Sequence, residues 1–276
     1  MKYADLHVHS SYSDGIYTPE EIVDFAIKNK VSNIAITDHD SLASQYILNY
    51  KSKDINIISG IELSTEFNDI ELHMLGYFID VQNKDLIAAV NELNKGRIKR
   101  VEEILYKLRK NNIDISLEDL NFNINSNVTI GRSHIANAMV KKGYFDNYKT
   151  AFTSFLVRGK PGYVKGTKIN YKECIKVIND AGGMAVLAHP GQIYRKREVE
   201  NILRELKCFG LKGVEVYHPS HSIEDSNKFY SMAQKYKLSV SGGSDFHGKQ
   251  IYEYEPTLGS FGLDKDKFLK FINYKR

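Results

Sequence analysis

The sequence predicts an α/β protein, a barrel of the (β/α) kind carrying a small helical insertion. Three observations carry that expectation. Short apolar runs alternate with longer helical patterns near both ends of the chain, as in βα units around parallel strands. The alternation stops between about residues 95 and 168 and then resumes. The apolar runs also end, one after another, in His, Asp or Glu.

The elements follow in order. Ala4–Val8, Asn33–Thr37, Ile55–Glu62 and Ile70–Phe78 read as strands. Pro19–Asn29 reads as a helix, because Thr18 as N-cap and Glu21 three residues on form a capping-box pair. After the break, Met184–His189, Lys212–Tyr217 and Leu238–Gly243 read as strands, separated by helical stretches at about Tyr171–Ala181, Glu198–Phe209 and Ser222–Tyr236. The middle opens with a long basic helix, Leu86–Lys110, then an Asn-rich stretch, Asn111–Asn127, and another helical pattern, Ile130–Gly143.

Composition narrows the class. The 276 residues are 42% hydrophobic and 26% charged, ordinary for a globular protein and unlike a disordered, collagen-like or coiled-coil chain. Two cysteines, Cys174 and Cys208, give no disulfide framework. The N-terminus lacks a signal-peptide pattern and no run reaches 18 apolar residues, so a cytoplasmic protein with no membrane partner is expected. Net charge is 38 − 34 = +4, but residues 95–168 hold 15 Lys and Arg against 6 Asp and Glu, or +9, leaving about −5 elsewhere. Such a segment is either a solvated lysine-rich surface or an attractor for an anionic substrate.

The acidic and imidazole groups suggest a metal site. His7 and His9 lie two apart at the end of the first strand and therefore share a face. Asp14 follows. His39 ends the second strand, Glu62 the third and His189 the fifth; His73 sits on the fourth, and Asp245 and His247 follow the seventh. On a (β/α) barrel the C-terminal strand ends form the active-site face. A set of nitrogen and oxygen donors without cysteine suits Zn, Mn or Fe.

The pattern His7-x-His9, Asp14, Thr37-Asp38-His39, Glu62, His73, His189-Pro190 and Asp245-x-His247 resembles that of the PHP (polymerase and histidinol phosphatase) family of metal-dependent phosphoesterases, over residues 5 to 247. The resemblance implies a distorted (β/α)7 TIM-like barrel from residues 1–94 and 169–276, with 95–168 as a basic, mainly helical cap. It implies a metal centre of two or three ions, with Mn2+ expected and Fe or Zn also suited. His7, His9, Glu62 and Asp245 would hold one ion; Glu62 would share a second with His73 and His189; Asp14, His39 and His247 would hold a third. Some members carry His at the position of Asp14.

A second set of residues resembles one subgroup, which includes nucleoside 3′,5′-bisphosphate phosphatases and a 5′→3′ exoribonuclease acting on short RNA. It comprises Gly131-Arg132-Ser133-His134, the run Arg158-Gly159-Lys160-Pro161-Gly162-Tyr163, and the segment holding His218 and His221. Arg132 and Arg158 offer guanidinium forks to phosphate, Lys160 a point charge, and Ser133 and His134 open a helix pattern whose N–H groups favour anions. Tyr163 can stack on a base, His221 can touch substrate, and His218 is the candidate general acid. Each also has a structural alternative: a capping histidine, surface charges, a packed tyrosine or ordinary loop residues. The resulting expectation is hydrolysis of a phosphomonoester, most simply in a nucleoside bisphosphate, with no obligate protein partner. Short RNA, a non-nucleotide phosphate ester, a non-catalytic module and an amidohydrolase are the alternatives.

Overall fold

A computed structural model describes residues 2–120, 128–194, 196–248 and 256–274. The expected Asn-rich stretch therefore lies partly outside the described residues, at 121–127. Strand β1 (Ala4–Val8), β2 (Asn33–Ile36) and β3 (Asn56–Ile58) form a parallel sheet in the order β1-β2-β3. The second sheet runs β6-β4-β5-β7-β8-β9, from β4 (Gly60–Phe67), β5 (Ile70–Tyr77), β6 (Ile169–Asn170), β7 (Met184–Leu187), β8 (Gly213–Tyr217) and β9 (Ser239–Gly242). The fold is thus mixed α/β with parallel pairings, as expected at that level.

Two details differ from the sequence expectation. The single strand expected over Ile55–Glu62 is two, β3 and β4, which break at Ser59 and belong to different sheets. Strand β5 then runs antiparallel to both β4 and β7. The reason is the turn at Asn68 and Asp69, which both take positive φ (46° and 63°) between paired Phe67 and Ile70. Two such residues make the tight hairpin whose twist matches the strands. Short bridges connect the margins of the two sheets: Val8 to Phe246, and His39 to Glu62.

Helix α1 (Pro19–Lys28) starts at the predicted capping box, with Thr18 Oγ1 accepting from Glu21 N–H and Glu21 Oε2 from Thr18 N–H. It buries Ile22, Val23 and Ala26 against Ile34 and Ile36 of β2. The main core lies between the larger sheet and helices α2 (Lys84–Arg109), α5 (Tyr171–Asp180), α6 (Val199–Cys208) and α7 (Ile223–Lys235). Helix α8 (Lys265–Tyr274) closes a smaller core over β1 with Phe268 and Phe271.

A separate core sits in the middle segment. It gathers Val101, Ile104 and Leu108 from the C-terminal half of α2 with Ile135 and Met139 of α3 (Arg132–Lys141), Ala151 of α4 (Tyr148–Ala151) and Leu156. The N-terminal half of α2 instead buries Leu86, Val90 and Leu93 in the main core. One continuous helix therefore anchors both.

Gly243 carries the approach of the β9 end to β1. A Cβ there would lie 2.3 Å from the Cβ and 2.4 Å from the backbone nitrogen of His7. Backbone cannot yield as a flexible side chain would, so Gly243→Ala is expected to cost about 1–3 kcal/mol of stability by overpacking. It is also expected to lower bound metal per chain, because His7 is displaced. Urea unfolding and metal analysis of the purified variant check both.

Candidate metal centre and anion cavity

Glu62 stands at the middle of the site, fully buried on β4. Its Oε2 lies 3.3 Å from His7 Nε2, 3.2 Å from His9 Nε2 and 3.0 Å from His39 Nδ1. Its Oε1 lies 3.0 Å from His73 Nδ1 and 2.9 Å from His189 Nε2. The two oxygens of one carboxylate thus face two groups of imidazoles. Burial opposes the charge on Glu62, yet the surrounding imidazoles, His7 among them, hold it well below the usual carboxylate range.

Two further carboxylates flank this centre. Asp245 Oδ1 is 3.4 Å from His7 Nε2 and 3.2 Å from His9 Nε2. Asp14 Oδ1 is 3.3 Å from His247 Nε2, and His9 and His39 approach Asp14 within 3.8 and 4.0 Å. The nine residues expected as ligands therefore converge. The backbone explains how. The His39–Glu62 bridge is closed by Asp40 N–H on the Glu62 carbonyl, and His9 N–H donates to the Phe246 carbonyl. His73 faces Glu62 because the antiparallel pairing sets it opposite Ser64, on the Glu62 side of the sheet. Asp40, His189 and Asp245 all hold positive φ (49°, 22° and 52°), a conformation that costs a non-glycine residue energy and gathers at functional sites.

The donors fit metal ions. His9 Nε2, His39 Nδ1 and Asp14 Oδ1 are buried and form no aligned hydrogen bond although Glu62, Asp245 or His247 stands within 3.3 Å of each, an arrangement that suits atoms converging on an ion. Burial holds His39 neutral, with its pKa down at about 3, leaving an imidazole free to coordinate. Four sets place donor atoms close enough to share an ion: His9, Asp14, His39 and His247; His7, His9 and Glu62; His39, Glu62 and His73; and His7, His218 and Asp245.

Residues behind the cluster orient it. Glu215 accepts from His7 Nδ1 at 3.0 Å and from His189 N–H at 2.8 Å. It therefore fixes the His7 tautomer, turns Nε2 inward and pins the strained His189 backbone. Asp38 accepts from Ser10 and Ser13, holding the loop that presents Asp14. Asp40 accepts from Ser64 and, at 2.6 Å, from Arg97 of α2.

In front of the cluster opens a cavity of about 1220 Å³. Asp14, His39, His73, His189, Asp245 and His247 line one part of it. The N-terminus of α3, from Gly131 to His134, lines another, together with Arg158 and Tyr163. Ser133 Oγ donates to Asp14 Oδ2 at 3.0 Å, joining the insertion directly to the cluster. His134 Nδ1 accepts from Gly131 N–H. Arg132 stacks over Phe152 and lies 3.6 Å from Glu71.

Three expected contacts change. His221 is buried and does not line the cavity; its Nε2 accepts from Gly191 N–H and its Nδ1 meets the Val216 carbonyl, so both ring nitrogens are spent on backbone. Lys160 is exposed and outside the cavity lining, because its loop turns at the Lys160 N–H to Val157 carbonyl bond. His218 is also buried and outside the lining; its Nε2 faces Asp245 at 3.2 Å and its Nδ1 meets Ser220, which points it at a ligand rather than at a leaving group. Arg97, Arg100, Lys168 and Tyr194 line the cavity and were not singled out by sequence. The Arg97 and Arg100 pair, three apart on one helix face, was the signal available.

The PHP domain family model matches residues 5–216. The chain belongs to the PHP family of metal-dependent phosphoesterases. A 3′,5′-nucleoside bisphosphate phosphatase from Chromobacterium violaceum is 32% identical over 250 residues, covering 90% of this chain and 88% of that one. The 5′-3′ exoribonuclease Rnm of Escherichia coli is 30% identical over 248 residues, covering 88% and 84%. A solved structure from Bifidobacterium adolescentis, provisionally assigned as a metal-dependent phosphoesterase, shares 28% identity, covers 99% of this PHP chain and 96% of its own, and superposes with a TM-score of 0.90.

Two outcomes follow. Glu215→Gln is expected to weaken metal binding by about 10–100-fold, read by competition with a chelator, because the group holding two ligands loses its charge. For His221, burial lowers the pKa to about 4. Between about pH 6.5 and 4 the unfolded chain binds a proton that the folded chain refuses, so this contribution to stability falls as pH drops through that window. Metal-free parent is expected to lose about 2 kcal/mol more than metal-free His221→Gln between pH 7 and pH 5, in denaturant titrations at each pH.

Proposed function

We propose that this protein hydrolyses a phosphomonoester of a nucleoside 3′,5′-bisphosphate. The observation that carries the reading is one cavity, lined in one part by carboxylates and imidazoles and in another by the cationic insertion. The relatives named as a bisphosphate phosphatase and an exoribonuclease support a nucleotide or RNA substrate. We take the two bridged sheets as one distorted seven-unit barrel, with residues 95–168 as its cap.

The reading assigns roles to the chain's own groups. His7, His9, Glu62 and Asp245 would hold one ion, Glu62 with His73 and His189 a second, and Asp14, His39 and His247 a third, while His218 positions Asp245 from behind. Two or three divalent ions, Mn2+ first and Fe or Zn next, suit these donors. When bound, such ions neutralise phosphoryl oxygens and make water nucleophilic near neutral pH. The α3 N-terminus presents Ser133 and backbone N–H groups to phosphate, and Arg132 and Arg158 supply guanidinium forks. Tyr163 offers a stacking face. Ser133 also fixes Asp14, so anchoring of substrate and shape of the metal site are set together.

The exoribonuclease reading has one specific support. The cavity exceeds the ~300–1,000 Å³ of ordinary small-ligand sites, and Tyr194, 92% exposed, stands on its lining as a platform for a further base. Among the described residues no helix is long and apolar enough to cross a membrane, which accords with a cytoplasmic enzyme.

Metal-stripped protein reconstituted with Mn2+ is expected to release phosphate from adenosine 3′,5′-bisphosphate much faster than from AMP, and not at all with EDTA. Release from 5′-phosphorylated short RNA but not from the bisphosphate would move the assignment to the exoribonuclease. Release from neither, in protein shown to hold metal, would sink the nucleotide reading.

A further inference from the structure

The cavity's cations are not equivalent. Arg97 is paired with Asp40 at 2.6 Å. Lys168 and Arg132 share Glu71, at 2.8 and 3.6 Å. Lys165 lies 2.9 Å from both Glu66 and Asp69. Arg158 and Lys149 are exposed and keep their hydration. Arg100 alone is both enclosed and without a carboxylate partner among the described residues. Its Nε donates to the Val164 carbonyl at 2.9 Å, while its Nη2 is buried and unbonded. The Gly166 backbone presses so close that a Cβ there would sit 2.8 Å from Nη1.

A half-buried guanidinium that lines a cavity and keeps one buried N–H group unbonded is costly unless an anion completes its charge. Its charged neighbours are Arg132, Glu71 and Arg97 rather than the metal-ligand cluster, and burial has already drawn its pKa down to about 10. Among the described residues Arg100 is therefore the half-buried cavity-wall cation with no carboxylate of its own, and an incoming anion would complete it.

We propose that Arg100 is the specificity-determining residue of this cavity and holds the phosphate that is not hydrolysed, the segment around Gly166 clamping its guanidinium in place. The inference rests on the phosphoesterase reading and sharpens it: selectivity for a second anion resides in Arg100 more than in Arg132, which already shares Glu71 with Lys168.

The test compares metal-loaded parent, Arg100→Gln, Arg100→Lys and Gly166→Ala. Substrates are adenosine 3′,5′-bisphosphate and p-nitrophenyl phosphate, which has no second anion, with kcat and KM separated; inorganic sulfate is titrated in parallel by calorimetry. Arg100→Gln is expected to lose about 10–100-fold in kcat/KM on the bisphosphate, chiefly through KM, and to stay within about twofold on p-nitrophenyl phosphate. Sulfate affinity is expected to fall about tenfold or more. Arg100→Lys should recover part of both losses, and Gly166→Ala should show the same selective loss with the charge retained. An equal loss on both substrates, or an unchanged ratio with unchanged sulfate binding, overturns the proposal. If parent protein cleaves p-nitrophenyl phosphate but not the bisphosphate, the nucleotide reading fails by itself. The sulfate titration then decides Arg100: weaker binding in Arg100→Gln sustains the anion site, and equal binding removes it.

Discussion

The rest of the site depends on one buried charge. Glu62 has no solvent exposure, and five imidazoles surround its two oxygens. An isolated carboxylate in that position would be prohibitively unstable, so its neighbours must supply compensating charge. Those neighbours come from β1, the β2 end, β5 and the β7 end, elements separated by up to 182 positions in the chain (189 − 7). Two sheets, an antiparallel hairpin and several strained loop residues bring them together. The strain at Asp40, His189 and Asp245 is tolerated because each of these residues is tied down: Asp40 by Ser64 and Arg97, His189 by Glu215, Asp245 by His218.

Much of this could be read from residue order. The spacing of His7 and His9 says by itself that they share a face, and the recurrence of His, Asp and Glu after apolar runs marks one end of the strands. The capping box at Thr18 likewise names its helix from local chemistry alone. What escaped was tertiary. In Ile55–Glu62 the only break signal is Ser59-Gly60, which marks a turn without saying that the chain changes sheets there. The reversal of β5 was encoded in Asn68 and Asp69, but such a pair marks a hairpin only once the flanking runs are known to be adjacent strands.

Side-chain roles divided in the same way. His218 and His221 look alike in sequence, three apart beyond β8. One meets Asp245 and the other two backbone groups, a difference set by what packs over each ring. Arg100 was hidden for the opposite reason. On a helix with many lysines and arginines, one more cation reads as a solvated face. Only the enclosing path of Val164 and Gly166 distinguishes it.

Helix α2 gives the insertion its leverage on the chemistry. Its first half belongs to the main core and its second half to the core of the middle segment, so the two cannot rotate independently without breaking one or the other. Arg97 and Arg100 sit between those halves. Arg97 reaches down to Asp40, whose own backbone is bonded to Glu62, while Arg100 stays with the cavity. Ser133, on the next helix, closes a second route by its bond to Asp14. If the middle segment grips a substrate anion as proposed, two short chains of bonded groups would hold that anion at a set distance from the carboxylate–imidazole cluster. Binding of a remote charge would then be converted into alignment of the reacting one.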